Sequence, residues 1–230
     1  MLNNHKIEWS RIQAILFDFD GVVVHSEPLY EEAEMELIRT MGLEIPDDFF
    51  HHNKGIGEDA FYQVLINQYG ARRSVAELKQ WGRELLKEKF RDRLDYVPGF
   101  HDFFHWAAER YQTAGVTSTR RDFMDWIFEH TAIENLFTEL GTIDDVERGK
   151  PEPDPYLNMC ERLRIQTDEA LVIEDSLLGL RSARRAGCQT VGITTTIPAD
   201  RLAEIADGVI GHFSQLQVFL ERREYFREMV

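Results

Sequence analysis

The sequence predicts an α/β protein: a parallel β-sheet covered by helices on both faces, with a helical domain inserted after the first strand. Three observations carry this. Short, continuous apolar runs recur along the chain between turn residues, as strands buried on both faces require. Helical patterns separate most of these runs, which is the alternation of successive βαβ units. One stretch, 26–96, breaks the alternation: it is helical in pattern throughout, too long for a crossover connection and large enough for a small domain.

Taken in order, strands are expected at 14–19, 114–117, 170–173, 190–193 and 208–211. Helices are expected at 100–110, 121–130, 155–164 and 176–186, with a last one at 215–227. Inside the insertion, 28–41, 58–69 and 74–94 read as helices. The chain returns to the sheet near Val97-Pro98-Gly99. The expected organisation is therefore a core domain of residues 1–25 and 97–230 and a helical domain of residues 26–96. Open α/β sheets bind ligands outside the carboxyl ends of their strands. An insertion at the end of the first strand is placed to act as a lid on such a site. The aromatic-rich stretch 100–111 has helical spacing and reads as core packing.

Composition narrows the function. The 230 residues carry 41 Asp and Glu against 26 Lys and Arg, a formal net charge of −15. A surface this acidic repels nucleic acid and anionic lipid over most of its area, so neither is expected as a partner. No apolar run approaches the length of a membrane span. The two cysteines, Cys160 and Cys188, sit in no metal-ligand spacing and are too few for a disulfide framework. The first residues lack a long apolar stretch. A reduced, cytoplasmic setting and a monomer are expected.

The chemistry concentrates at strand ends. "AILFDFDG" runs four apolar residues into Asp18, with Asp20 two positions on. Burying carboxylates is costly, and a simple turn does not explain an apolar run leading into two of them. "LVIEDS" repeats the pattern with Glu174 and Asp175; here Asp175 or Ser176 also suits a helix N-cap. Two parallel strands that each end in an acidic pair place the acids at one sheet edge. A hard cation such as Mg²⁺ makes that cluster tolerable. "ERGKPEPDPY" sets Lys150 before two prolines that stiffen its backbone. A fixed cation beside carboxylates would hold an anionic substrate. "GVTSTRR" ends another strand at Thr117, whose hydroxyl suits either a cap for the following helix or a phosphate oxygen.

The order Asp-x-Asp-Gly, strand-end Thr, Lys-Pro-Glu-Pro-Asp and Glu-Asp-Ser-x-x-Gly resembles the four motifs of the haloacid dehalogenase superfamily. More narrowly, "DFDGVVVHSEPLY", "GKPEPDPY" and "VIEDSLLGLRSARRAG" resemble its branch of phosphatases and β-phosphoglucomutases, which have a Rossmann-like core and a helical cap. The resemblance implies that Asp18 is a nucleophile forming an aspartyl-phosphate and Asp20 the general acid and base. It implies Mg²⁺ held by Asp18, the Asp20 carbonyl, Asp175 and, directly or through water, Glu174. Thr117 and Ser118 would bind phosphoryl oxygens, and Lys150 would balance charge. The implied substrate is a small-molecule phosphate ester.

Within that branch the mutases carry a cap His ten positions after the acid/base Asp and a basic residue after a Lys-Gly loop. Here Tyr30 and the pair Glu58-Asp59 stand at those places, and "SEPLY" resembles sugar-phosphate phosphatases. Hydrolysis is expected over mutase chemistry, with a catalytically inactive binding module as the remaining alternative. Lys54 and Gly55, in "NKGIGEDAF", and Arg120 are expected to help choose the substrate, although Gly55 and Gly57 equally suit a plain break between helices.

Overall fold

The computed structural model describes residues 7–53 and 56–228. Its strands are β1 (Ala14–Phe17), β2 (Gln112–Val116), β3 (Glu139–Gly141), β4 (Ala170–Glu174), β5 (Gln189–Ile193) and β6 (Gly208–Ile210). Its helices are α1 (Glu27–Thr40), α2 (Phe49–Asn53), α3 (Glu58–Tyr69), α4 (Val75–Arg93), α5 (Phe100–Ala108), α6 (Arg121–His130), α7 (Asp154–Leu163), α8 (Leu177–Ala186), α9 (Ala199–Ala203) and α10 (Phe213–Glu228). The chain divides into two compact units. One runs through His25, resumes over Asp95–Phe128 and again from Ile133; the other comprises Ser26–Leu94 and Glu129–Ala132.

All six strands are parallel, in the order β3-β2-β1-β4-β5-β6. Chain order reverses at β1, so the crevice outside its carboxyl end is a topological switch point. The strands β1, β4 and β5 are buried along their whole length, the signature of helices on both faces. Alternation sorts the side chains. Ala14, Leu16, Ala170 and Val172 pack with Tyr156, Met159 and Cys160 of α7 and with Ala183 and Ala186 of α8. On the opposite face Phe17 meets Phe100, Phe103 and Phe104 of α5 at ring-centroid distances of 5.6, 6.1 and 5.9 Å. The apolar face of the stretch 100–111, Phe100, Phe103, Phe104 and Ala107, is thus core, as its spacing predicts. Among the described residues no helix is long and apolar enough to cross a membrane.

The structure departs from the sequence reading in five places. β1 stops at Phe17 rather than residue 19. Asp18 N–H still bonds Ile173 O at 3.0 Å, but Phe19 O then accepts from Val22, Val23 and Val24, closing a turn in which Gly21 takes a φ of +73°. α2, β3 and α9 have no counterpart in the reading. The return to the sheet comes earlier than residue 97: His25 N–H bonds Asp95 O at 2.8 Å, Val97 N–H bonds Val23 O at 2.9 Å, and Val24 and Tyr96 pair antiparallel. Those backbone bonds tie Asp95 and Tyr96 to the sheet unit.

In the helical unit Leu37, Ile38, Phe49, Phe61, Tyr62, Leu65 and Leu78 form the core. Ser74 starts α4 with a capping box to Glu77. Arg93 on α4 grips Glu32 on α1 with two bonds of 2.5 and 2.8 Å. Glu34, on α1, is half-buried and faces Glu27, Glu58 and Glu31; burial first, then those charges, push its carboxyl up to about 8. A carboxyl raised in the folded state keeps its full stability below the ordinary carboxylate range and loses it as pH rises through about 8. Glu34→Gln is therefore expected to leave Tm unchanged near pH 4 and to raise it progressively from pH 5 to 9, measured by thermal denaturation across that range.

Candidate active site

The sheet register sets the site. Phe17 pairs with both Gly115 and Ile173, so Asp18, Val116 and Glu174 occupy the next level. Lys150 joins all three: its Nζ donates to Asp18 Oδ1 at 2.6 Å, to Val116 O at 3.0 Å and to Glu174 Oε1 at 2.6 Å. Asp18 and Glu174 follow Leu16 and Val172 on the α7–α8 face, and from α7 the Tyr156 hydroxyl donates to Glu174 Oε1 at 2.8 Å. Glu174 Oε2 accepts from the Ser176 hydroxyl at 2.9 Å. Ser176 is the N-cap of α8, its oxygen accepting from Gly179 N–H. Both oxygens of Glu174 are thus taken by protein donors, and the side chain is fully buried. Glu174 acts as the buried counter-charge that fixes Lys150. A Cβ at Gly179 would lie 1.7 Å from Glu174 Oε1, which explains the glycine three places after Ser176.

The electrostatics follow. Burial opposes the charge on Lys150, but Asp18 and Glu174 outweigh it and hold the ammonium above its usual range. Burial, then Glu174, push the Asp18 carboxyl up to about 7 against the pull of Lys150, with Asp20 adding to the rise. Burial and then Glu174 raise the Tyr156 hydroxyl. The site carries more carboxylate than one lysine neutralises.

Asp18, Glu174 and Asp175 each offer a carboxylate oxygen, all within 4.8 Å of one another. An all-oxygen, anionic donor set fits a hard divalent ion such as Mg²⁺ rather than a softer metal that prefers sulfur or imidazole ligands. Asp175 packs over the turn after β1, where a Cβ at Gly21 would lie 1.9 Å from Asp175 Oδ2.

Asp20 sits beside this cluster, its Oδ2 accepting from the Thr119 hydroxyl at 3.1 Å. Thr119 N–H in turn bonds Thr117 Oγ1 at 3.0 Å, and Thr117 N–H bonds Gly141 O at 2.9 Å. Thr117 is buried and Ser118 exposed. Arg120 is drawn elsewhere, to Asp122 at 3.3 Å and Asp144 at 3.2 Å. Lys54 and Gly55 lie outside the described residues. Four residues that contact the acids or the turn after β1 have no role in the sequence reading: Thr119, Tyr156 and Thr196, which bond acids, and Thr195, which bonds the turn. Thr195 bonds Gly21 O at 2.5 Å, and Thr196 bonds Asp175 Oδ2. The one available signal is position: "TTT" follows β5 at the same edge that carries the acids.

Comparison with known proteins agrees with this arrangement. The family model of the haloacid dehalogenase-like hydrolases matches residues 15–193. The phosphorylated carbohydrates phosphatase of Thermotoga maritima is 29% identical over 182 residues, covering 78% of this chain and 84% of that protein. The validoxylamine A 7'-phosphate phosphatase of Streptomyces hygroscopicus subsp. limoneus is 32% identical over 191 residues, covering 82% and 89%. The crystal structure of a candidate β-phosphoglucomutase from Thermotoga maritima superposes with a TM-score of 0.74 at 27% identity, covering 91% of this chain and 99% of that one. The motifs, the parallel sheet that displays them and the extent of the match place this chain in the haloacid dehalogenase-like hydrolase family.

Proposed function

We propose that this hydrolase is a Mg²⁺-dependent phosphatase of small phosphorylated metabolites, sugar phosphates foremost, working through an aspartyl-phosphate on Asp18. The observation that carries the reading is Lys150 shared between Asp18 and Glu174 beside Asp175. Such a lysine pulls the buried Asp18 carboxyl toward its ionised form and aims it, while leaving a cation to receive an anionic group. Two relatives named as phosphatases of phosphorylated carbohydrates and of validoxylamine A 7'-phosphate support the substrate class.

In this reading an Asp18 oxygen attacks phosphorus, and the bond to the leaving oxygen breaks. Asp20 gives that oxygen its proton and so becomes the carboxylate that takes a proton from water in the second step. Water then attacks the phosphoryl group, the Asp18–phosphorus link breaks, and phosphate leaves with Asp18 and Asp20 restored. Lys150, the Thr117 hydroxyl and the Ser118 backbone N–H hold phosphoryl oxygens. Asp18, Asp175, the Asp20 carbonyl and, directly or through water, Glu174 would hold Mg²⁺, which when bound offsets the negative charge so that a carboxylate can approach a phosphate dianion. The helical insertion Ser26–Leu94 serves as the cap that selects the leaving group. Tyr30, Glu58 and Asp59, at places where the mutases carry His and a basic residue, favour hydrolysis over transfer.

The test is phosphate release from a panel of hexose, pentose and other phosphorylated metabolites, with Mg²⁺ and with EDTA. Mg²⁺-dependent release from sugar phosphates is expected, with Ca²⁺ inhibiting because its looser coordination aims the nucleophile badly. Full-rate hydrolysis in EDTA would reject the metal requirement. Isomerised sugar phosphate without phosphate release would replace the hydrolase reading with a mutase. Asp20→Asn is expected to slow turnover of sugar phosphates by about 10²–10⁴-fold, the usual worth of general acid–base help, while Mg²⁺ binding is retained. Wild-type turnover by this variant would remove Asp20 from the acid role.

A further inference from the structure

We infer that Thr195 and Thr196, in the loop after β5, form a clip that locks the turn carrying Asp18 and Asp20 to the loop carrying Asp175, with Thr196 as the positioning residue of the Asp175 carboxylate. This deepens the proposed function and rests on its reading of Asp175 as a Mg²⁺ ligand. Two adjacent hydroxyls reach two different loops. The Thr195 hydroxyl donates to Gly21 O at 2.5 Å, and the Thr196 hydroxyl donates to Asp175 Oδ2. The two targets also touch each other: the space above the Gly21 α-carbon belongs to Asp175, whose Oδ2 would be 1.9 Å from a Cβ there, and Thr196 Oγ1 would be 2.9 Å away. Gly21 N–H closes the same turn on Val24 O at 2.8 Å. The β1 turn, the β4 loop and the β5 loop therefore meet at one point.

The chemical consequence falls on the carboxylate. A hydroxyl bonded to Oδ2 fixes rotation about the Asp175 Cβ–Cγ bond and so fixes the direction of Oδ1. Partners of this kind orient metal ligands, and their loss costs about 10–100-fold in metal affinity. The Thr195 bond does the corresponding work for the turn that presents the Asp20 carbonyl one residue earlier. Both threonines are half-exposed, so removing either hydroxyl leaves the core intact.

The experiment is a Mg²⁺ titration of the full chain without substrate, followed by intrinsic tryptophan fluorescence and by the rise of Tm with Mg²⁺. Thr196→Val is expected to weaken Mg²⁺ binding by about tenfold or more. Tm without Mg²⁺ should change little, and Thr196→Ser should restore wild-type affinity. In turnover, the variant's deficit should shrink as Mg²⁺ is raised. Thr196→Val and Thr196→Ala binding Mg²⁺ as tightly as wild type would overturn the clip while leaving the phosphatase reading in place. A wild-type chain that binds no Mg²⁺ would overturn both.

Discussion

Asp18→Asn is expected to abolish turnover, lowering kcat by about 10⁴-fold or more, the scale on which covalent mechanisms fail when the nucleophile or its partner is removed. The amide keeps the shape of the side chain but neither attacks phosphorus nor serves as an anionic ligand. The same substitution is expected to stabilise the metal-free fold, and the sign follows from the site. Burial and Glu174 hold the Asp18 carboxyl at about 7. Stability is therefore complete below the ordinary carboxylate range, where the group is protonated folded or unfolded, and is lost as pH rises through about 7. Asparagine carries no such loss. The Tm advantage of the variant should grow from about pH 4 to pH 7 and then level off, read by thermal denaturation in EDTA. Residual hydrolysis near the wild-type rate, with deamidation excluded by mass spectrometry, would remove Asp18 from the nucleophile role.

Lys150→Met should do the opposite to stability. Its side chain is 5% exposed and lies 2.6 Å from both Asp18 and Glu174. Methionine fills similar space but leaves two buried carboxylates without their cation. Breaking a buried pair by removing one partner costs about 3–5 kcal/mol. Turnover should fall by about 10²–10³-fold with the loss of one preorganised charge at the reacting group. Urea denaturation of a double-mutant cycle separates the two roles. Asp18→Asn is expected to recover part of the stability lost in Lys150→Met, because one unpaired carboxylate disappears. Strictly additive effects would mean that the two side chains do not share the electrostatics described above.

What the sequence discloses of this site depends on how far each contact reaches along the chain. β1, β4 and β5 are legible because both of their faces are buried, which writes a continuous apolar run. Residues 139–141 read Glu-Leu-Gly and carry no such run; their strand character comes from β2, through the pairing of Gly115 with Leu140. Likewise β1 ends two residues early because the turn at Gly21 draws the following valines back onto Phe19 O, a bond pattern that hydrophobicity does not encode. The acids stand out because carboxylates at the ends of apolar runs need a reason. Thr119, Thr195 and Thr196 give no comparable signal. A threonine in a loop is ordinary, and Thr195 meets its partner across 174 positions of sequence. Arg120 shows the converse case: it follows Thr117 closely, yet Asp122 and Asp144 hold its guanidinium.

The sheet register also decides where this chain tolerates a change of length. Lys150 spans three strands at a single level, touching Asp18, Val116 and Glu174 one step past the Phe17 row. A residue inserted into or deleted from β1, β2 or β4 would shift one of those partners by a strand step of about 3.3 Å and turn its side chain to the other face. No rotamer of Lys150 repairs such a slip. The amino-terminal edge has no such gauge: its connections, such as residues 109–111 and 165–169, lead into strands without meeting the acids. Length variation among chains built on this plan should therefore gather at the amino-terminal edge and within the helical insertion, while the strands that carry the acids keep a fixed count of residues.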